Sequence, residues 1–218
     1  MKQFKFTITS KDKNSLARTG IITTAHGEIE TPYVMVAATR GHVLHLTMKD
    51  LENLKVRCLM ANTYHLHCNP GDELIKKQGG LHKFMPWSHP IMTDSGGFQA
   101  LSLGRGKIDG IRKIGFFPGN QKPIKEEESF AEITDKGITF TSVYNTKEKK
   151  FIGPKESMQI QSNLGADMIM AFDECPSATC TKKEVKEAMT RSHVWELSSL
   201  EYADKNQALY GIIHGGWV

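Results

Sequence analysis

Apolar and polar residues alternate at the start of the chain. Phe4, Phe6 and Ile8 are separated by polar neighbours, and Ile21-Ile22-Thr23 leads through Ala25-His26-Gly27 to Glu28-Ile29. A period of two, broken by a glycine-containing turn, predicts short antiparallel strands over residues 1–31. The rhythm then changes to compact apolar runs at residues 33–36, 56–60, 90–93, 166–172 and 209–213, which read as five buried strands. Helices are expected between them. Thr47-Met48-Lys49-Asp50 and Thr181-Lys182-Lys183-Glu184 have the spacing of capping boxes. A short helix follows Pro70 and stops at Gly79-Gly80, and another runs from Pro154 to Gly165. The helix behind Thr181 places Val185, Ala188, Met189, Ser192, Trp195, Ser199 and Tyr202 on one packing stripe. Residues 61–65 read as a loop, and residues 137–140 and 150–152 as a pair of hairpin strands. Residues 104–130, rich in glycine and charge, read as an insertion.

Apolar strands alternating with helices argue for an α/β fold built on a parallel sheet. Three of the five strands end in a polar side chain followed by small residues. That is the pattern of a (β/α) barrel, whose active-site face lies at the strand C-termini. A barrel needs eight strands. The expected architecture is therefore an incomplete TIM barrel of about the first five strands, preceded by the antiparallel segment. Residues 1–218 would form one N-terminal portion of a barrel domain, interrupted at 104–130. An open doubly wound sheet is the competing arrangement; no Gly-x-Gly-x-x-Gly turn follows the first strand, which argues against dinucleotide binding.

Composition narrows the class. Of the 218 residues 39% are hydrophobic and 24% charged, which suits a folded domain and excludes a disordered or collagen-like chain. The net charge of +4 permits contact with a nucleic acid without requiring it. No apolar run approaches the ~20 residues that cross a bilayer, and the first residues lack a secretory h-region. No membrane association and a cytoplasmic location are the expectation. Cys58, Cys68, Cys175 and Cys180 form no Cys-x-x-Cys pair and read as reduced thiols, with Cys58 in the core. His65-Leu66-His67-Cys68 matches no common zinc spacing, so no metal site is expected within the chain.

The candidate chemistry sits at three strand ends. Asp94 precedes Ser95-Gly96-Gly97, where small residues let a planar ligand approach the backbone. It can serve as acid, base or acceptor, or simply cap a helix. Asp173-Glu174 repeats the arrangement one strand later, and one of the two can bind a ligand while the other caps a helix or pairs with an arginine. His214 before Gly215-Gly216 is the third tip. Phe98 can offer a ring face to a planar ligand or pack in the core. Converging strand ends would place these groups in one pocket.

Several longer strings occur in a fixed order. They are Asn62-Thr63-Tyr64-His65-Leu66 with Asn69-Pro70-Gly71, Asp94-Ser95-Gly96-Gly97-Phe98-Gln99, and Gly137-Ile138-Thr139-Phe140 followed by Gly153-Pro154-Lys155-Glu156-Ser157. Phe172-Asp173-Glu174-Cys175-Pro176 and Gly211-Ile212-Ile213-His214-Gly215-Gly216 complete the set. Together they resemble the tRNA-guanine transglycosylases of bacterial type, also called queuine tRNA-ribosyltransferases. The resemblance implies a (β/α)8 barrel enzyme, a pentosyltransferase. It exchanges guanine at the tRNA wobble position for a 7-deazaguanine, preQ1 or queuine, in queuosine biosynthesis. By the same resemblance Asp94 is the catalytic acid/base or binding carboxylate. Ser95 hydrogen-bonds the base, Phe98 stacks on it, Asp173 accepts from its ring N–H and amino group, Cys175 lines the pocket and Gly215 donates from its backbone. His214 stands where the family has Gln.

The resemblance also places the family's nucleophilic aspartate, its zinc site of three cysteines and a histidine, and a basic tRNA-binding region beyond residue 218. A homodimer binding tRNA and a 7-deazaguanine base is implied for the full-length enzyme, and the 218 residues alone would be inactive. Two other readings stay open: a non-catalytic base- or tRNA-binding subunit or degenerate relative that needs a partner chain, and a relative that inserts the deazaguanine into DNA.

Overall fold

The structure, a computed structural model, describes residues 4–105, 131–145, 147–176 and 180–214. The chain divides into two compact units. One comprises Met1–Asp94, Ile160–Met170 and Ala203–Tyr210; the other comprises Ser95–Gln159, Ala171–Tyr202 and Gly211–Val218.

The first unit opens with an antiparallel sheet of β1 (Lys5–Lys11), β2 (Arg18–Thr24) and β3 (Gly27–Thr31), in that order. The turn joining β2 to β3 lies at Ala25-His26, with Thr24 opposite Gly27. The alternation in β1 does not produce a buried face, since Phe6 and Ile8 remain 43% and 42% exposed. Phe4, just before the strand, packs edge-on against the Tyr210 ring at 5.9 Å.

A parallel sheet carries the rest of this unit. Its strands are β4 (Val36–Ala37), β5 (Leu59–Ala61), β6 (Ile91–Thr93), β10 (Met168–Met170) and β11 (Ala208–Tyr210). The order β11-β10-β6-β5-β4 follows the chain without reversal. A doubly wound sheet reverses its order at a switch point, and this one does not. All five expected strands occur, but each is shorter than its apolar run. Of residues 33–36 only Val36 is in a strand, and Val34 is 85% exposed. Ile29, Cys58, Met92 and Met168 form the buried centre between the two sheets. Burial, with the nearby Asp167 charge adding to it, pushes the Cys58 thiol up to about 12, so it behaves as a core apolar group.

Four short helices connect β4 to β5 and β5 to β6: α1 (Met48–Asn53), then α2 (Thr63–Cys68), α3 (Asp72–Lys77) and α4 (Leu81–Phe84). The capping box at Thr47 and Asp50 forms as expected. Residues 61–65 do not form a loop: Asn62 accepts from His65 N–H and starts α2. Buried side-chain amides lock the sheet. Gln161 accepts from Thr93 Oγ1 and from Met170 N–H, and donates to Met170 O. Asp167 ties the β2–β3 turn to α4, with Oδ1 at 2.7 Å from His26 Nδ1 and Oδ2 at 3.2 Å from His82 Nε2.

The second unit contains α5 (Gly97–Arg105), an antiparallel sheet of β7 (Ala131–Thr134), β8 (Gly137–Thr141) and β9 (Lys149–Ile152), and α7 (Lys182–Tyr202). Between β9 and β10 in sequence runs α6 (Pro154–Leu164), which begins and ends as its flanking Pro and Gly predict. The hairpin of residues 137–140 and 150–152 is β8–β9, and β7 adds a third strand. Residues 106–130, the bulk of the expected insertion, lie outside the described residues. The α7 stripe buries Val185, Ala188, Ser192, Trp195 and Ser199, whereas Tyr202 stays 47% exposed. Among the described residues no helix is long and apolar enough to cross a membrane.

Candidate functional site

The segment after β10 leaves the sheet at once, yet Ala171, Phe172, Asp173 and Glu174 are all buried. Buried backbone outside a ladder needs other hydrogen-bond partners. Two serines on α7 supply them. Phe172 N–H donates to Ser199 Oγ (3.1 Å) and Glu174 N–H donates to Ser192 Oγ (2.9 Å). Phe172 also packs against Trp195, ring centroids 4.9 Å apart. Asp173 is held between these two anchors. The Glu174 carboxylate pairs with Arg191 on α7, which also reaches Asp135 at 3.4 Å.

Asp173 gathers two other predicted residues. Ser95 Oγ donates to its Oδ1 at 2.6 Å, and His214 Nε2 lies 2.9 Å from its Oδ2. Ser95 is fixed on its other side, since its Oγ accepts from Gly97 N–H and its carbonyl accepts from Ser157 Oγ. Gly97 has no room for a side chain: a Cβ there would lie 2.6 Å from Asp173 O and 3.3 Å from the Phe172 ring. The first turn of α5 can therefore approach Asp173 only with glycine at this position.

The hydrogen bond to Asp173 raises the His214 pKa, against an opposing effect of burial and with help from the charges of Asp173, Glu196 and Glu174. Burial first, then the carboxylates of Asp173 and Glu174, raise the Cys175 thiol. Cys175 therefore stays protonated and is poorly suited as nucleophile or metal ligand. Phe98 lies in the first turn of α5 and is 41% exposed. Gly215 lies outside the described residues.

Asp94, the last residue of the first stretch of the first unit, has its own partners. Its carboxylate accepts from Asn62 Nδ2 (2.5 Å) and from Thr63 N–H (2.8 Å), and its carbonyl accepts from Thr63 Oγ1 (2.6 Å). Thr63 is the first residue of α2, so Asp94 satisfies an N–H at the start of that helix beside its N-cap Asn62. Asn62 thus serves two elements at once, capping α2 through Oδ1 and donating to Asp94 through Nδ2.

Among the described residues one group has metal-ligand atoms drawn together: His26, His82 and Asp167, within 4.8 Å of one another. Asp167 Oδ1 is already bonded to His26, and Oδ2 accepts from Ile91 N–H. We read the group as a tie between segments of the first unit. An open apolar groove of about 480 Å³, lined by Phe4, Phe6, Arg18, Ile22, Thr31, Leu209 and Tyr210, touches none of the predicted site residues.

Sequence reasoning missed the anchors. Ser192 and Ser199 were visible as polar interruptions of an apolar stripe, seven residues apart, and such residues must find partners when buried. Asn62 and Thr63 were visible as a capping pair. Nothing in the sequence linked either pair to the carboxylate it serves.

A family model described as queuine tRNA-ribosyltransferase matches residues 12–218. A protein of Archaeoglobus fulgidus is 43% identical over 207 residues, covering 91% of this chain and 51% of its own length. A queuine tRNA-ribosyltransferase of Fusobacterium nucleatum is 41% identical over 208 residues, 94% of this chain and 49% of its own. One from a strain of Prochlorococcus marinus is 38% identical over 214 residues, 98% of this chain and 51% of its own. The chain spans about half the length of the curated relatives it matches.

Proposed function

Because the chain belongs to the queuine tRNA-ribosyltransferase family, we propose that it forms the base-recognising part of a base-exchange glycosyltransferase acting on tRNA. In this reading guanine at the wobble position is replaced by a 7-deazaguanine, preQ1 or queuine. The observation that carries it is the buried Asp173 carboxylate, fixed by Ser95 and by the α7 serines. A guanine-type edge offers two adjacent donors, the ring N–H and the 2-amino group. A carboxylate is the side chain that matches them, and an extruded base is read by such hydrogen bonds. Each carboxylate oxygen has two acceptor positions, so the bonds from Ser95 and His214 leave capacity for the base.

Asp94 takes the acid/base or binding role in this reading, with Asn62 and Thr63 as its positioning residues. Phe98, partly exposed on α5, supplies a stacking face. Cys175 lines the base site as a neutral thiol, and Gly215 contributes a backbone donor. The parallel sheet closes into an eight-stranded barrel when further strands join it, and the unreversed strand order is what supports this. The donor set of His26, His82 and Asp167 does not fit a zinc site of three cysteines and one histidine. Family zinc would thus be held by residues other than this group, and no step is routed through it. The working enzyme is proposed to be a homodimer in the cytoplasm.

The test is exchange of labelled guanine into tRNA by the complete protein. Asp173→Asn turns one acceptor into a donor. It should weaken free-base binding by ~1–3 kcal/mol, the cost of a mismatched buried hydrogen bond, and slow exchange in step. Unchanged affinity by calorimetry refutes the assignment. Exchange into DNA with tRNA left untouched would redirect it to the other polymer.

A further inference from the structure

His214 is the group in this site whose ordinary pKa lies closest to neutral pH. Its ring is only 14% exposed, and its two nitrogens differ. Nε2 is committed to Asp173 Oδ2 at 2.9 Å, whereas Nδ1 has no hydrogen-bond partner among the described residues. A carboxylate only accepts, so the nitrogen facing Asp173 carries hydrogen. The neutral ring then presents Nδ1 as an acceptor. Only the imidazolium presents an N–H there.

The surroundings favour the imidazolium. Asp173 lies against the ring, and Glu174 adds its charge from the same segment. Glu196 on α7 adds another and accepts from Ile212 N–H at 2.8 Å, so it also anchors the chain two residues before His214. Arg191, the cation on this stretch of α7, is already paired with Glu174 and Asp135. Cys175, beside the same carboxylates, stays a neutral thiol. Burial alone opposes the charge.

A guanine-type base carries its ring carbonyl next to the ring N–H. Resting on the assignment of Asp173 to that N–H and the 2-amino group, we propose that His214 reads the carbonyl as an imidazolium, with Nε2–H on Asp173 and Nδ1–H on the carbonyl oxygen, so that capture of the base takes up a proton. The site then presents two acceptors and one donor against two donors and one acceptor. Once His214 is neutral, its Nδ1 lone pair faces the carbonyl lone pairs and the match fails. His214 is thereby a specificity-determining residue whose charge sets the affinity. By linkage, bound base raises the His214 pKa further.

Calorimetric titration of the complete protein with guanine, between about pH 5.5 and 8, tests this. Wild type should lose affinity towards tenfold per pH unit above the His214 pKa, the slope for one coupled proton. The heat should vary with the ionisation enthalpy of the buffer in the sense of proton uptake. This second readout needs no variant. His214→Gln, whose amide donates at every pH, should bind with a flat profile. A flat or rising wild-type profile, or the same slope in His214→Gln, overturns the inference. If Asp173→Asn weakens binding while the wild-type profile is flat, the base-reading assignment stands and only the role of His214 falls. If guanine binds Asp173→Asn as well as wild type, or binds neither, both fall together.

Discussion

Arg191→Met removes the cation that pairs with Glu174, and the structure sets what that should cost. Glu174 is buried, with its side chain 7% exposed, so its carboxylate is left without a counter-charge and with little water. Breaking a buried pair from one side costs ~3–5 kcal/mol, because the remaining charge stays desolvated. Arg191 is itself 23% exposed, so water can partly replace it. We therefore expect the low end, about 3 kcal/mol. Its second contact adds little, since Asp135 is 99% exposed at 3.4 Å, and exposed pairs are worth ~1 kcal/mol at most. For a chain of this size about 3 kcal/mol corresponds to a fall in Tm of roughly 6–12 °C. The double variant Arg191→Met, Glu174→Met replaces the pair by apolar groups and should recover most of the loss. Thermal melts of the four proteins, followed by circular dichroism, form the cycle. A fall below about 2 °C for Arg191→Met, or strictly additive losses in the double variant, would refute the claim that Glu174 is a buried charge held by one partner.

Three other outcomes are expected. Gly97→Ala forces a Cβ to within 2.6 Å of Asp173 O, backbone that cannot rotate away, and should cost ~1–3 kcal/mol in urea unfolding with weaker base binding; a neutral effect would contradict the close approach. Ser192→Ala leaves Glu174 N–H buried without its acceptor and should cost ~1–3 kcal/mol, whereas Ser198→Ala, one position off the buried stripe, should cost little; equal costs would remove the anchoring role. His214 has a raised folded-state pKa, so its contribution to stability is complete below its unfolded pKa of ~6.5 and is lost as pH rises through the higher folded value. Urea midpoints measured across that window should fall more steeply in wild type than in His214→Gln, and identical slopes would count against the Asp173–His214 bond.

Local signals in the sequence carried the elements. The capping boxes at Thr47 and Thr181, the Pro154 start and the glycine stops at 79–80 and 165 act within a few residues of chain, so they are legible without a fold. The five apolar runs located the parallel strands for the same reason. Their lengths were not legible, because an apolar run does not say how much of it a neighbour pairs. The run at 33–36 ends in a two-residue strand, and that at 166–172 yields three strand residues followed by a buried segment that α7 serves instead. β1 shows the converse: its alternation is real, but among the described residues its apolar face stays exposed.

Asp94, Ser95, Asp173 and His214 could be nominated from residue type and position at strand ends. What each one bonds to could not, because those bonds join residues from 31 to 78 positions apart. The chain alone specified which groups are ionisable and where the backbone must turn, since these are properties of a residue and its near neighbours. Only the fold decided that Ser95 and His214 meet on one carboxylate, that Asp94 serves α2, and that two serines of a packing stripe hold Asp173 in place. Hydrogen bonding and charge act over a few ångströms of space, and separation along the chain does not report that distance.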